Sequence, residues 1–242
     1  MKLRELLVIA IMTSVVLGTA RGFHPGTDNS APGDYDDRGA ILPNAPSPLV
    51  AKDKVLRSAY YDTLTILNES NTCSDFFGGP ETATDVFNKL MALVRKDYLV
   101  GGIGMRMSGS TTNVLNAQTQ THYRLFDTLS INLNGPFYRR SLGNPISAIR
   151  GVGTFKPDSK EVRVLMLLHE LGHLIRTPQG QWLLPDDGAD QELSRENSLR
   201  IEAVCRDQIR SLSQATDLAV SKKKKSDQAL AQKRDNQPGG RL

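Results

Sequence analysis

A chain of 242 residues with 39% hydrophobic and 23% charged residues suggests one domain, or one domain with tails. The net charge of +4 belongs to the C-terminus, where Lys222–Lys225, Lys233, Arg234 and Arg241 are opposed only by Asp227 and Asp235. The rest of the chain carries no basic excess, which excludes a domain-wide basic face and the nucleic-acid binding it would serve.

Residues 1–20 read as a signal peptide. Lys2 and Arg4 precede the apolar stretch Leu6–Leu17, and Gly18-Thr19-Ala20 has the small-x-small pattern of a cleavage site. The apolar stretch is short for a membrane span, so the expectation is a secreted or periplasmic mature chain with no integral span after cleavage. Residues 21–47, rich in Gly, Pro, Asp, Asn and Ser, are expected to be a disordered linker in which His24 is solvated.

The domain is expected over residues 48–220. Val50, Val55, Leu56, Ala59, Tyr60, Leu64 and Leu67 recur at helical spacing and predict a helix over 48–70. Residues 71–81 read as a loop, and a second helix is expected from Thr82 to Tyr98. Past residue 99 the helical period is lost. Gly101, Gly102 and Gly104 are not followed by a helix, so they do not make a phosphate loop. From Tyr123 to Leu133 the odd positions are mostly apolar, as in a strand, and Asn134-Gly135 signals a hairpin turn. After a connection over 139–158 and a helix over 159–176, an acid-containing loop is expected over 177–192. A last helix begins near Ser194, with Ile201, Val204, Cys205 and Leu212 on one face and Asn197 as a polar residue on that face. Residues 221–242 are expected to be a disordered basic tail, a candidate contact for anionic envelope polymers. Two cysteines in an exported chain, Cys73 and Cys205, predict one disulfide.

Residues 159–176 name a chemistry. Ser159 is a good N-cap and Glu161 puts negative charge in the first turn. The run from Val162 to Ile175 is apolar apart from Arg163, Gly172 and the motif residues, so the helix is expected to be buried on all sides. Pro178 should stop it near Arg176. Within it stands His169-Glu170-Leu171-Gly172-His173. Residues four apart share a helix face, so His169 and His173 can hold one metal ion. Glu170 lies about 100° further round and can act on a water without being a ligand. A plain core helix would bury these three polar side chains without partners, at a cost. Two imidazoles and one carboxylate suit zinc, with the fourth place left for water.

His169, Glu170 and His173 in this apolar setting resemble the active-site helix of the zincin metallopeptidases. The resemblance covers that helix and little else. It departs from the metzincin branch, which continues with Gly and His where this chain has Arg176 and Gln179. No glycine-rich or Cys-Leu segment accompanies the motif, as it would in a peptide deformylase. The resemblance implies a small α+β domain with N-terminal helices, a short mainly antiparallel sheet, the motif helix and a C-terminal helix. It also implies a strand near Ser130–Asn134 as a wall of a substrate cleft. The third ligand has to return to the metal after the motif helix. Asp186, in the turn Pro185-Asp186-Asp187-Gly188, is the first choice, Glu202 in the last helix the second, and Asp187 follows, with Glu192 also considered. The resulting expectation is a zinc-dependent peptidase acting on a peptide or protein substrate, with Glu170 as general base. Alternatives are a non-catalytic zinc-binding protein and an envelope-binding module driven by the lysine-rich tail.

Overall fold

The computed structural model describes residues 45–100, 104–143 and 148–235, the stretch 215–235 as backbone only. The expected signal peptide and all but the end of the expected linker lie outside the described residues.

The helix expected over 48–70 is two helices, α1 (Pro48–Lys52) and α2 (Lys54–Leu67), joined by an extended Asp53. The Asp53 carboxylate accepts the amides of Val55 and Leu56 at 2.8 and 3.0 Å and caps α2. Burial works to raise its pKa, but Lys96, the Leu56 amide and the Tyr138 hydroxyl outweigh burial and hold it below the ordinary value. The loop expected over 71–81 contains a short helix, α3 (Thr72–Phe76), capped reciprocally by Asn71 and Ser74. Gly78 and Gly79 then take φ of +89° and +90°, a region open to glycine, and Pro80 opens α4 (Pro80–Ala92).

Residues 94–97, expected in the second helix, form strand β1 (Val94–Asp97). Strand β2 (Met105–Leu115) turns through 116–121 into β3 (His122–Asn132), where Asn116 Oδ1 accepts the amides of Gln118 and Thr119. The sheet has the order β1-β3-β2, with β1 parallel and β2 antiparallel to β3. The fold is thus α+β with a short, mainly antiparallel sheet. Two expectations change here. Asn134-Gly135 is a turn, with the Gly135 amide bonded to Asn132 O at 3.0 Å, but the hairpin lies earlier, between β2 and β3. Ser130 pairs with Arg95 on one side and Arg106 on the other, so the end of β3 is a central strand and offers no free edge for substrate.

Helix α5 (Lys160–Gly172) carries the motif, and Ser159 Oγ caps it by accepting the Val162 amide at 3.1 Å. Val162, Val164, Leu165, Met166, Leu167, Leu168 and Leu171 are all buried, against α2, α4, α6 and the start of β2. Each such side chain contributes about 1.5–3 kcal/mol on burial, which holds the helix far more firmly than its own propensity could. Arg163 is accommodated by the Phe137 carbonyl at 2.9 Å and by Asp158.

The helix ends at Gly172, short of the expected Arg176, because β3 captures the chain beyond it. The Arg124 amide bonds to Leu174 O at 2.9 Å and the Arg176 amide to His122 O at 3.0 Å. The chain then turns back, with Leu183 N bonded to Ile175 O and Leu184 N to Gly172 O. A Cβ on Gly172 would come within 2.7 Å of Leu184, so this return requires glycine. Helix α6 (Gln191–Asp235) follows and extends through residues 221–235, expected to be disordered. Ala, Lys and Gln are good helix formers and continue a helix already docked at its N-terminal end. Residues 236–242 lie outside the described residues.

Cys73 in α3 and Cys205 in α6 are bonded, as expected. The bridge closes a separation of 132 residues, which in a chain-entropy account restricts the unfolded chain by about 5 kcal/mol. Replacing both cysteines with alanine is expected to lower unfolding free energy by about 3–5 kcal/mol in urea titrations.

Candidate metal centre

His169 is on the last turn of α5 and His173 is its C-cap. Their rings lie edge to face with centroids 4.8 Å apart, and their Nε2 atoms are 3.0 Å apart. The return chain brings Asp187 Oδ2 to 2.9 Å from His169 Nε2 and 3.5 Å from His173 Nε2. Among the described residues, His169, His173 and Asp187 form a group that could hold a metal ion. Donors bonded at about 2.0–2.1 Å to a tetrahedral zinc ion lie about 3.3 Å from one another, close to the separations found here.

The proton inventory supports the same use. Ser198 Oγ, on α6, donates to Ser194 O at 2.9 Å. It therefore accepts from His169 Nδ1, also at 2.9 Å, and this fixes the proton on Nδ1. In the neutral ring, His169 Nε2 is then left with a lone pair facing a carboxylate oxygen and the second imidazole. A cation between these three atoms would satisfy all of them at once. His173 Nδ1 is buried without a partner among the described residues, so its Nε2 is the nitrogen engaged with the group.

Electrostatics match this arrangement. Burial acts to raise the Asp187 pKa, but the neighbouring His169 and His173 rings outweigh it and hold it below the ordinary carboxylate range. Burial acts to lower His173, and Asp187 with Glu170 outweighs it, so its pKa is raised. Glu170 is buried beside both imidazoles, and desolvation raises its pKa against their attraction.

The expected third ligand, Asp186, is elsewhere. Its carboxylate forms a bidentate pair with Arg124, and it is the neighbouring Asp187 that faces the imidazoles. Glu202 is fully buried but accepts from the Thr154 amide at 2.8 Å, from the Thr154 hydroxyl and from Arg206. Glu192 is exposed and pairs with Arg195. His122 is exposed at the start of β3, and His24 is outside the described residues. Asn197, singled out as a polar residue on an apolar face, donates to Pro185 O at 3.0 Å and lies 3.5 Å from Asp187 Oδ2, so it steadies the acid turn. Ser198 and Arg124 were not foreseen. Ser198 carried the same signal as Asn197, a polar residue on the buried stripe of the last helix. Arg124 carried none, since the apolar alternation of Tyr123 and Leu125 assigns position 124 to the outer face, whereas all three residues are buried.

The chain matches no protein-family model, no curated protein and no solved structure. Among the described residues, no helix is long and apolar enough to cross a membrane.

Ser198→Ala removes the acceptor that holds the proton on His169 Nδ1, and is expected to weaken binding of a divalent metal by about 10–100-fold in chelator competition.

Proposed function

We propose that the chain is an exported zinc-dependent peptidase that hydrolyses peptide bonds. The observation that carries this reading is the convergence of His169 Nε2, His173 Nε2 and Asp187 Oδ2, with Glu170 beside them outside the donor set. Structural zinc sites have four protein ligands, whereas catalytic sites have three and an open place. Among the described residues no fourth His, Cys, Asp or Glu joins this group. Two imidazoles and a carboxylate are also the donor set of non-haem iron sites. The adjoining Glu170 favours hydrolytic zinc, since an iron triad has no use for a base in that place.

His169, His173 and Asp187 would hold the ion. When bound, zinc supplies Lewis acidity towards a carbonyl oxygen and lowers the pKa of a coordinated water to about 7. Glu170 is the proton carrier. Its carboxylate takes a proton from the attacking water, and the protonated carboxyl returns it to the leaving nitrogen. Burial raises the Glu170 pKa and so improves its match to that task. The disulfide is compatible with an oxidising, extracellular location.

Two substitutions test the reading. His169→Ala is expected to remove zinc from the purified chain by elemental analysis. Glu170→Gln is expected to retain zinc and lose hydrolysis of an unstructured protein substrate by at least about 100-fold. Full activity in Glu170→Gln would rule out the mechanism, and unchanged zinc in His169→Ala would rule out the site.

A further inference from the structure

We infer that Arg124 is a positioning residue for the metal centre, setting the distance between the end of the motif helix and the carboxylate that completes the donor set. This rests on the metal reading above and adds to it the device that places Asp187.

Arg124 is buried at 7% exposure, and its polar groups divide between the two segments that carry the ligands. Its backbone amide bonds to Leu174 O at 2.9 Å. Its Nε donates to His173 O at 2.9 Å, at the negative end of α5, where a cation is favoured. Its two terminal nitrogens grip Asp186, with one contact at 3.0 Å. Asp186 is joined to Asp187, which meets both imidazoles. One rigid guanidinium therefore ties the backbone of one ligand, His173, to the neighbour of another.

The guanidinium is itself held. The Trp182 ring centroid lies 4.1 Å from its Cζ, and the Phe126 ring centroid lies 5.2 Å away. Arg176 stacks at 4.3 Å from the same Trp182 ring. An aromatic face over a buried guanidinium excludes water and fixes its plane. Asn197 grips Pro185 O in the same acid turn from α6. The turn is thus clamped at two points, and Asp187 stands where the clamps leave it. Lysine keeps the charge at position 124 but cannot reproduce the planar fork that serves Asp186 bidentately while reaching His173 O.

The test uses the full chain and reads Zn2+ affinity by chelator competition, with the visible absorption of the Co2+-substituted protein as a probe of ligand geometry. Asp186→Ala is the decisive variant, because this side chain is 62% exposed and its loss does not open the core. Asp186→Ala and Arg124→Lys are each expected to weaken Zn2+ by about 10–100-fold and to shift the Co2+ spectrum. The double variant should fall little further than the weaker single one, since the two side chains act as a unit. Asp187→Ala should lose more affinity than either. If Asp186→Ala matches the parent in affinity and spectrum, the inference is overturned, even if thermal stability drops. If Asp186→Ala loses zinc as completely as His173→Ala while Asp187→Ala keeps it, Asp186 is itself the ligand and the inference again fails. Among these outcomes, a parent chain that binds no Zn2+ is the one that overturns the metal reading as well.

Discussion

The arrangement depends on the pairing of residues 174–176 with the start of β3. The bonds Arg124 N to Leu174 O and Arg176 N to His122 O stop α5 at the second motif histidine. Without them nothing local would end the helix before Pro178. His173 would then sit inside a helix, and the chain would leave it a turn later and elsewhere. With them, residues 176–182 turn back, Leu184 meets Gly172, and the acids at 186 and 187 arrive beside the imidazoles. The sheet is small, but its first rungs decide where the carboxylate of Asp187 falls.

Helix α6 supplies the surroundings of the centre from the opposite side. Ser198 orients His169, Asn197 holds the acid turn, and Glu202 fixes the 153–154 loop. These polar groups are all buried, and each meets a partner whose own partners are set, which is the condition for a polar cluster to rigidify a core instead of weakening it. Cys205 lies seven residues beyond Ser198, two turns along the same face, and its bond to α3 anchors the helix that presents them. The cluster is built on anchored helices more than on loops, and its one loop-borne carboxylate is clamped.

What could be read from the sequence follows the range of the interactions. Ser159 as a cap, the burial of Val162–Leu171, and His169 and His173 sharing a face are set within one or two turns, and the residues alone announce them. The disulfide was legible because only one pairing of two cysteines exists. Long-range pairings were not legible. Val94–Asp97 has a single buried residue, Val94, and becomes a strand only because β3 lies beside it. Strand β2 buries only Met105 and Val114 and shows no apolar alternation. The exchange of Asp186 for Asp187 has the same origin. Two adjacent acids in a turn are equivalent until Arg124, 62 residues upstream, takes one of them.

The division of labour between these acids has a physical reason. Asp186 stays 62% exposed, where a charged pair with Arg124 requires little desolvation of the carboxylate. Asp187 is 15% exposed at the side chain and faces a nitrogen lone pair of His169, a position that a carboxylate without a cation occupies only at a cost. Ser198 holds the His169 proton on the far nitrogen, so the ring cannot relieve this contact by changing tautomer. The fold thus gathers three donor atoms, two imidazole nitrogens and a carboxylate oxygen, at one point. A divalent cation bound there would be shared by both ends of the segment 169–187 and would tie the motif helix to its returning chain. Metal affinity and the stability of this corner of the fold would then be two measures of one free energy.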